Sequence, residues 1–141
     1  MNYLEVEKKL YDQVLASKDE PLKYMKSILS FSSVLEKLYP KEFNEKMTKI
    51  GVLSLMKDLY DSAGVMIKEI ENLQLNVEDK TIEVNMDGMK LCSPIVDLSE
   101  YIEKNLGLDK TSIDYLLVLS FLSRTENFEM FQITQAIILK E

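Results

Sequence analysis

The chain has 141 residues, a formal net charge of −7 and an apolar fraction of 46%, which predicts one acidic globular domain and argues against disorder. It contains no histidine and no tryptophan, one cysteine (Cys92) and one arginine (Arg124). The missing histidine excludes most hydrolytic triads and zinc sites, and a single arginine nearly excludes bidentate clamps on phosphate.

The N-terminal third predicts two amphipathic helices, because its apolar residues recur at spacings of three and four. The first helix covers Asn2–Ser17. The second follows Asp19, which we expect to cap it, with Pro21 in the first turn, and it runs to about Tyr39. The residues expected to form its buried stripe are Leu22, Met25, Ile28, Leu29, Ser32, Leu35 and Leu38.

A long helical pattern follows Pro40, which ends the second helix and starts the third. From Lys41 to Asn72 only Gly51 and Gly64 interrupt it, and we expect a kink at Gly51. Because the apolar arc beyond Gly51 is wide, this helix is predicted to be central in an intramolecular core, with a dimeric coiled coil as the alternative.

The period then changes to two, which predicts a β-hairpin over about 80–92. Lys80–Met86 alternates polar and apolar residues, and Asp87-Gly88 is a strong signal for a two-residue turn. The register pairs Met86 with Met89 and Val84 with Leu91, and it places Cys92 opposite Glu83. We expect the apolar face to cover the helical layer, or alternatively to be exposed to a partner.

The C-terminal third predicts three further helices. One begins at Ser93-Pro94 and ends near Asn105, and a very apolar helix, capped by Asp109 or Thr111, covers Ser112–Ser123. The last begins after Thr125, and its β-branched residues leave 133–140 open as helix or strand. The predicted fold is therefore mainly α, a single bundle-like domain (1–141) of five or six helices with one inserted β-hairpin. The N-terminus has no signal-peptide pattern, so we expect a cytoplasmic protein.

Charge is divided unevenly along the chain and guides the functional hypothesis. Residues 1–57 sum to +2 and residues 58–141 to −9. We expect a non-enzymatic protein-binding module, such as a small or regulatory subunit, an adaptor or an inhibitor, whose partner has a basic surface, or which self-associates into an oligomer. The expected contact residues are those of the hairpin, Ile82, Val84, Met86, Met89 and Leu91, and the acidic positions Glu78, Asp79, Glu83 and Asp87.

Two alternatives remain open. The first is a helical subunit of a nucleoprotein complex that binds nucleic-acid backbone through Lys23, Lys26, Lys37, Lys41, Lys46 and Lys49. The second is an enzyme with a carboxylate-only Mg²⁺ site, for which the pairs Asp58/Asp61 and Glu100/Glu103 are the candidates. No catalytic residue, cofactor or metal ligand is assigned, and no membrane contact is expected.

Overall fold

The protein is described from a computed structural model that covers residues 2–67, 70–76, 78–86, 88–95, 97–124, 127–129 and 131–132. The chain is mainly α-helical with a β-hairpin near its middle, as the sequence predicts. The helices are α1 (Tyr3–Ala16), α2 (Pro21–Leu38), α3 (Pro40–Ile50), α4 (Val52–Ile67), α5 (Leu98–Leu106) and α6 (Ile113–Ser123). The strands are β1 (Ile70–Asn76), β2 (Thr81–Met86) and β3 (Met89–Pro94).

The contacts divide the chain into two compact units. The first, here called the helical unit, holds residues 1–53 and 98–124; the second, called the sheet unit, holds residues 54–97 and the described residues after 124. The single domain expected over 1–141 stays a prediction.

The first two helices start differently from each other. The side chain of Asn2 caps α1 by accepting a hydrogen bond of 2.9 Å from the amide of Glu5. Glu20 rather than Asp19 is the N-cap residue of α2, and it makes no side-chain cap hydrogen bond. The expected Asp19 cap is therefore wrong, because Pro21 at the first helical position moves the start by one residue.

The helix predicted over Lys41–Asn72 is two helices and a strand. Gly51 has φ +97°, a left-handed conformation that ends α3 and that glycine adopts without steric cost. The expected kink is thus a complete break. Beyond Ile67 the chain enters β1, which pairs with β2. This segment alternates polar and apolar residues over Asn72-Leu73-Gln74-Leu75-Asn76, which is a strand pattern. Pairing with a neighbouring strand selects this pattern over the helical one.

The sheet is antiparallel, with strand order β1-β2-β3. The hairpin has the predicted register, because Met86 pairs with Met89, Val84 with Leu91 and Glu83 with Cys92. Strand β3 continues through Pro94, so the helix expected from Ser93-Pro94 begins only at Leu98. This difference follows from pairing, since Ser93 and Pro94 lie opposite Ile82 and Thr81.

The core of the helical unit contains both expected and unexpected residues. As predicted, α6 is buried around most of its circumference. Its N-cap is Ser112, whose hydroxyl accepts from the amide of Tyr115, so the expected caps Asp109 and Thr111 are wrong. In α2 the buried residues are Phe31, Ser32 and Leu35. Three other members of the predicted stripe are largely exposed, Leu22, Met25 and Leu38, and Leu29 is partly exposed.

The chain after Arg124 is described in part. Residues 127–129 and 131–132 are helical, and Phe131 is buried. The expected Thr125 cap and the open assignment of 133–140 lie outside the described residues.

Candidate functional site

An exposed row of apolar side chains runs along the N-terminal half of α2. Leu22 is 75% exposed, Met25 60% and Leu29 38%. Their spacing of three and four residues places them on one side of the helix. Helix α2 packs against α1, α3 and α6, and its apolar arc is wider than the face that these neighbours cover. The uncovered part of the arc therefore forms part of the surface of the helical unit.

This row lies beside a groove of about 430 Å³. The groove is lined by residues of α2, of α6 and of the turn before α2, namely Lys18, Pro21, Tyr24, Met25, Ile28, Leu29, Leu119 and Ser123. Most of the lining is aliphatic or aromatic, and Met25 contributes a flexible, polarisable side chain that adapts to different contacts. We call the groove and the adjoining Leu22 the α2 groove.

The charges around the α2 groove are mainly basic. Of the described residues that line it, Lys18 alone is charged. Lys26 is exposed and lies one turn after Leu22 on the same side of α2. Lys23 contacts Glu20 at 3.5 Å, an exposed pair that contributes little to stability. Lys18 is thus available to meet a negatively charged group in the groove, and Lys26 to meet one beside Leu22.

A second polar feature of the helical unit is a lysine held by two carboxylates. The Lys46 ammonium lies 2.7 Å from Glu7 Oε1 and 3.0 Å from Asp114 Oδ1, and Glu7 is only 3% exposed. Burial lowers the pKa of Lys46, but the hydrogen bonds and charges of Glu7 and Asp114 outweigh it and leave the pKa raised. Since these contacts join α1, α3 and α6, Lys46 is a structural residue.

Tyr3 completes this cluster. Its ring lies 5.9 Å from the Lys46 ammonium and packs edge-on against Tyr39. Burial and the neighbouring Glu7 carboxylate raise the pKa of the Tyr3 hydroxyl. A groove of about 650 Å³ opens beside the cluster, but the Tyr3 hydroxyl is itself buried. The Tyr3 hydroxyl is therefore withdrawn from solvent, whereas Lys46 and Asp114 of the cluster line this groove.

The sole arginine is likewise engaged within the helical unit. Arg124 Nη1 lies 3.1 Å from Glu36 Oε2, and Arg124 Nε donates to Ser32 Oγ at 3.2 Å. The guanidinium carbon is 5.0 Å from the centroid of the Phe121 ring, a cation–π contact. Arg124 thus ties the end of α6 to α2, and we assign it no ligand-binding role.

The structure separates the predicted hairpin residues into two groups. Ile82 and Val84 have no exposed surface and Leu91 is 4% exposed, so these three side chains belong to the core. Asp87 and the side chains of Met86 and Met89 lie outside the described residues. Direct contact between a partner and the described apolar face of the hairpin would require the residues that cover this face to move away.

The predicted acidic contact residues lie apart from the buried apolar face: Glu83 is on β2, and Glu78 and Asp79 are in the turn before it. Glu78 and Asp79 are exposed, and Glu83 contacts Lys90 at 3.0 Å. The three carboxylates line one polar cavity of about 500 Å³ together with Cys92. Their role in partner binding stays a prediction.

The six lysines of the nucleic-acid alternative do not form one uniform group. Lys46 is held by Glu7 and Asp114, and Lys23 contacts Glu20. The remaining four are exposed and lie on α2 and α3: Lys26, Lys37, Lys41 and Lys49.

The metal alternative gains no ligand cluster from the described residues. Among these residues, no group of three or more acidic or cysteine side chains converges on one point. Glu100 contacts Lys104, and Glu103 contacts Lys110 at 3.4 Å. None of the helices in the described ranges is long and apolar enough to cross a membrane.

The α2 groove was missed from the sequence because its residues fit a buried stripe. The available signal was the width of the apolar arc of α2, which includes Tyr24, Phe31 and Val34 beside the predicted stripe. An arc of this width exceeds what a peripheral helix buries against one neighbour.

Comparison with protein-family models, curated proteins and solved structures gives no match for this chain.

Proposed function

We propose that the protein is a non-enzymatic binding module that recognises another protein through the α2 groove. The observation that carries this proposal is the exposure of Leu22 and Met25, two large apolar side chains one turn apart, at the edge of an apolar groove. Exposed single apolar residues are ordinary, whereas a contiguous apolar patch next to a concave surface is typical of interaction sites.

The energetics favour a partner. Removing apolar surface from water is favourable by about 25 cal/mol per Å², a gain that the loss of freedom on association reduces, and the anchors of an interface are usually a few side chains seated in a pocket. Leu22 and Met25 can supply such anchors without unfolding, because they already project from α2. The buried hairpin residues Ile82 and Val84 would have to leave the core first.

The composition supports a role in binding without chemistry. The chain has no histidine, and its one arginine and the half-buried Lys46 are both engaged in contacts between helices. The acidic hairpin residues Glu78, Asp79 and Glu83 are proposed as a separate contact for a basic surface, since they line one cavity. The cytoplasmic location stays a prediction.

The test is affinity capture from a native lysate with and without nuclease. We expect protein partners to be retained by the wild type in both conditions and lost by Met25→Glu. Leu38→Glu is the matched control, because Leu38 is 59% exposed on the same helix but does not line the groove.

Two results would contradict the proposal. One is capture of the same proteins by wild type and Met25→Glu at equal yield. The other is recovery of nucleic acid alone, lost on nuclease treatment, which would favour the lysine-based alternative. Circular dichroism of both variants ensures that a loss of capture is not a loss of folding.

A further inference from the structure

We infer that the occupant of the α2 groove is an amphipathic α-helix of a different protein, with carboxylates flanking its apolar stripe. This inference rests on the proposed function and adds the chemistry of the partner. It follows from two features of the groove: its length along α2 and its basic edge.

The length of the apolar row matches a helical partner. Leu22 and Leu29 are seven residues apart, which is about 10 Å along a helix at a rise of 1.5 Å per residue. This is the distance covered by apolar anchors at positions i, i+3 or i+4, and i+7 of a docked helix. Because the groove lies between residues of α2 and α6, a third helix placed there packs its ridge between two neighbours, as helices in bundles do.

The lysines at the edge of the groove favour negative charge on the partner. Lys18 lines the groove and Lys26 is exposed one turn beyond Leu22. The acidic residues nearest in sequence are Asp19 and Glu20, neither of which lines the groove, and Glu20 contacts Lys23. A helix that seats apolar side chains in the groove therefore places its flanking positions beside two ammonium groups. Carboxylates at these positions gain from complementarity, and ammonium groups are repelled.

A second copy of this chain fits the groove poorly. In a two-fold dimer the same patch meets itself, so the groove would receive a second apolar row flanked by lysines and not by carboxylates. A docked helix of two or three turns needs only the groove and its edge.

The experiment uses fluorescence anisotropy with designed peptides of about 14 residues, near the length at which isolated helices become marginal. All share one apolar stripe of leucines. The acidic peptide has glutamates beside the stripe, the basic peptide has lysines there, and a third, otherwise acidic, has a central proline that prevents a continuous helix. Each is titrated into wild type, Met25→Glu, Leu38→Glu and the double variant Lys18→Glu/Lys26→Glu.

We expect the wild type and Leu38→Glu to bind the acidic peptide at least about tenfold more tightly than the basic one at low salt. The double variant should reverse this preference, and Met25→Glu should bind neither peptide. The proline peptide should bind at least about tenfold more weakly than its parent, because it cannot present one continuous stripe.

The inference is overturned if the acidic and basic peptides bind equally, if the preference survives in the double variant, or if the proline peptide binds as well as its parent. It is also overturned if no peptide binds, or if sedimentation shows a dimer that Met25→Glu dissociates. Failure of the proposed function is distinguishable, because it appears as lysate capture that does not depend on Met25. Capture that depends on Met25, with no preference among peptides, leaves the proposed function standing and rejects the acidic helix.

Discussion

The ammonium of Lys46 and the carboxylate of Glu7 lie 2.7 Å apart, although the two residues are 39 positions apart in the chain. Glu7 is almost completely buried, so its charge is stabilised mainly by this lysine. Asp114 of α6 contacts the same ammonium at 3.0 Å. One side chain of α3 thus connects α1 and α6. For this reason we assign Lys46 to folding and not to the recognition of phosphate.

Removing this lysine should destabilise the protein strongly. We expect Lys46→Met to lower the free energy of unfolding by about 3 kcal/mol, because it leaves the buried Glu7 carboxylate without its partner. Urea denaturation followed by circular dichroism measures the change. Lys49→Met, an exposed substitution one turn later on α3, should change it by less than about 0.5 kcal/mol. Equal stability of the two variants would show that the Glu7 contact contributes nothing.

Stability should fall in alkaline solution, and Tyr3 should be one cause. The folded state raises the pKa of Tyr3 above its ordinary value of 10.0 and that of Lys46 above 10.5. A raised pKa means that the folded state holds the proton more tightly than the unfolded state does. The stabilisation of the folded state that comes from this tighter hold on the proton is therefore complete below about pH 10. It is lost as the pH rises beyond that value.

The measurement is the free energy of unfolding from pH 8 to the most alkaline solution in which unfolding is reversible, for wild type and Tyr3→Phe. We expect a smaller loss at high pH in Tyr3→Phe, which has no phenol to ionise. Burial also raises the pKa of Tyr101, so part of the loss should remain. Identical pH dependence in the two proteins would contradict the role of Tyr3.

A buried pair of serines joins α2 to α6. Ser120 Oγ accepts from the Ser32 amide at 2.9 Å and donates to Ser32 Oγ at 2.7 Å. Ser120→Ala removes both bonds at a site without solvent access, and we expect a loss of about 1–3 kcal/mol in the free energy of unfolding. Ser33→Ala is the control, because its exposed hydroxyl bonds only to a carbonyl of its own helix. Thermal unfolding that is unchanged in Ser120→Ala would argue against this contribution.

Truncation of a buried residue of α2 should cost much more stability than truncation of an exposed one. Leu35 is completely buried, so Leu35→Ala should cost about 2–5 kcal/mol of stability through lost burial and the cavity it leaves. Met25→Ala should change stability by less than about 0.5 kcal/mol, since Met25 is largely exposed. Chemical denaturation compares the two. A large loss in Met25→Ala would mean that the α2 groove is part of the core.

The two faces of the hairpin should differ in the same way. Val84 is fully buried, and we expect Val84→Ala to lower the free energy of unfolding by about 2 kcal/mol. Cys92→Ala alters the exposed face of β3 and should be nearly neutral. Hydrogen exchange of the strand amides, which reports local opening, gives the measurement. Equal exchange in the two variants would contradict the assignment of Val84 to the core.

The hairpin shows how far the sequence alone determines structure. Its turn signal, its period of two and its register all depend on residues within a few positions of one another, so local rules suffice. The same holds for the break between α2 and α3 at Pro40, whose ring fixes the backbone wherever it occurs. The apolar composition of α6 likewise predicts its burial, since a helix that is apolar on every side has no polar face to turn toward water.

The tertiary structure decided the features that depend on residues distant in the chain. The segment Ile70–Asn76 is a strand because β2 supplies its hydrogen-bond partners, and this pairing selects its polar–apolar alternation over the competing helical pattern. Periodicity places Leu22, Met25, Leu29 and Leu35 on similar faces of α2, but the positions of the neighbouring helices bury only Leu35. The sequence by itself thus determined which residues are apolar and where most of the helices lie, but not where a helical pattern gives way to a strand. Only packing decided which apolar residues are left exposed, because burial is a property of the neighbours that a side chain meets.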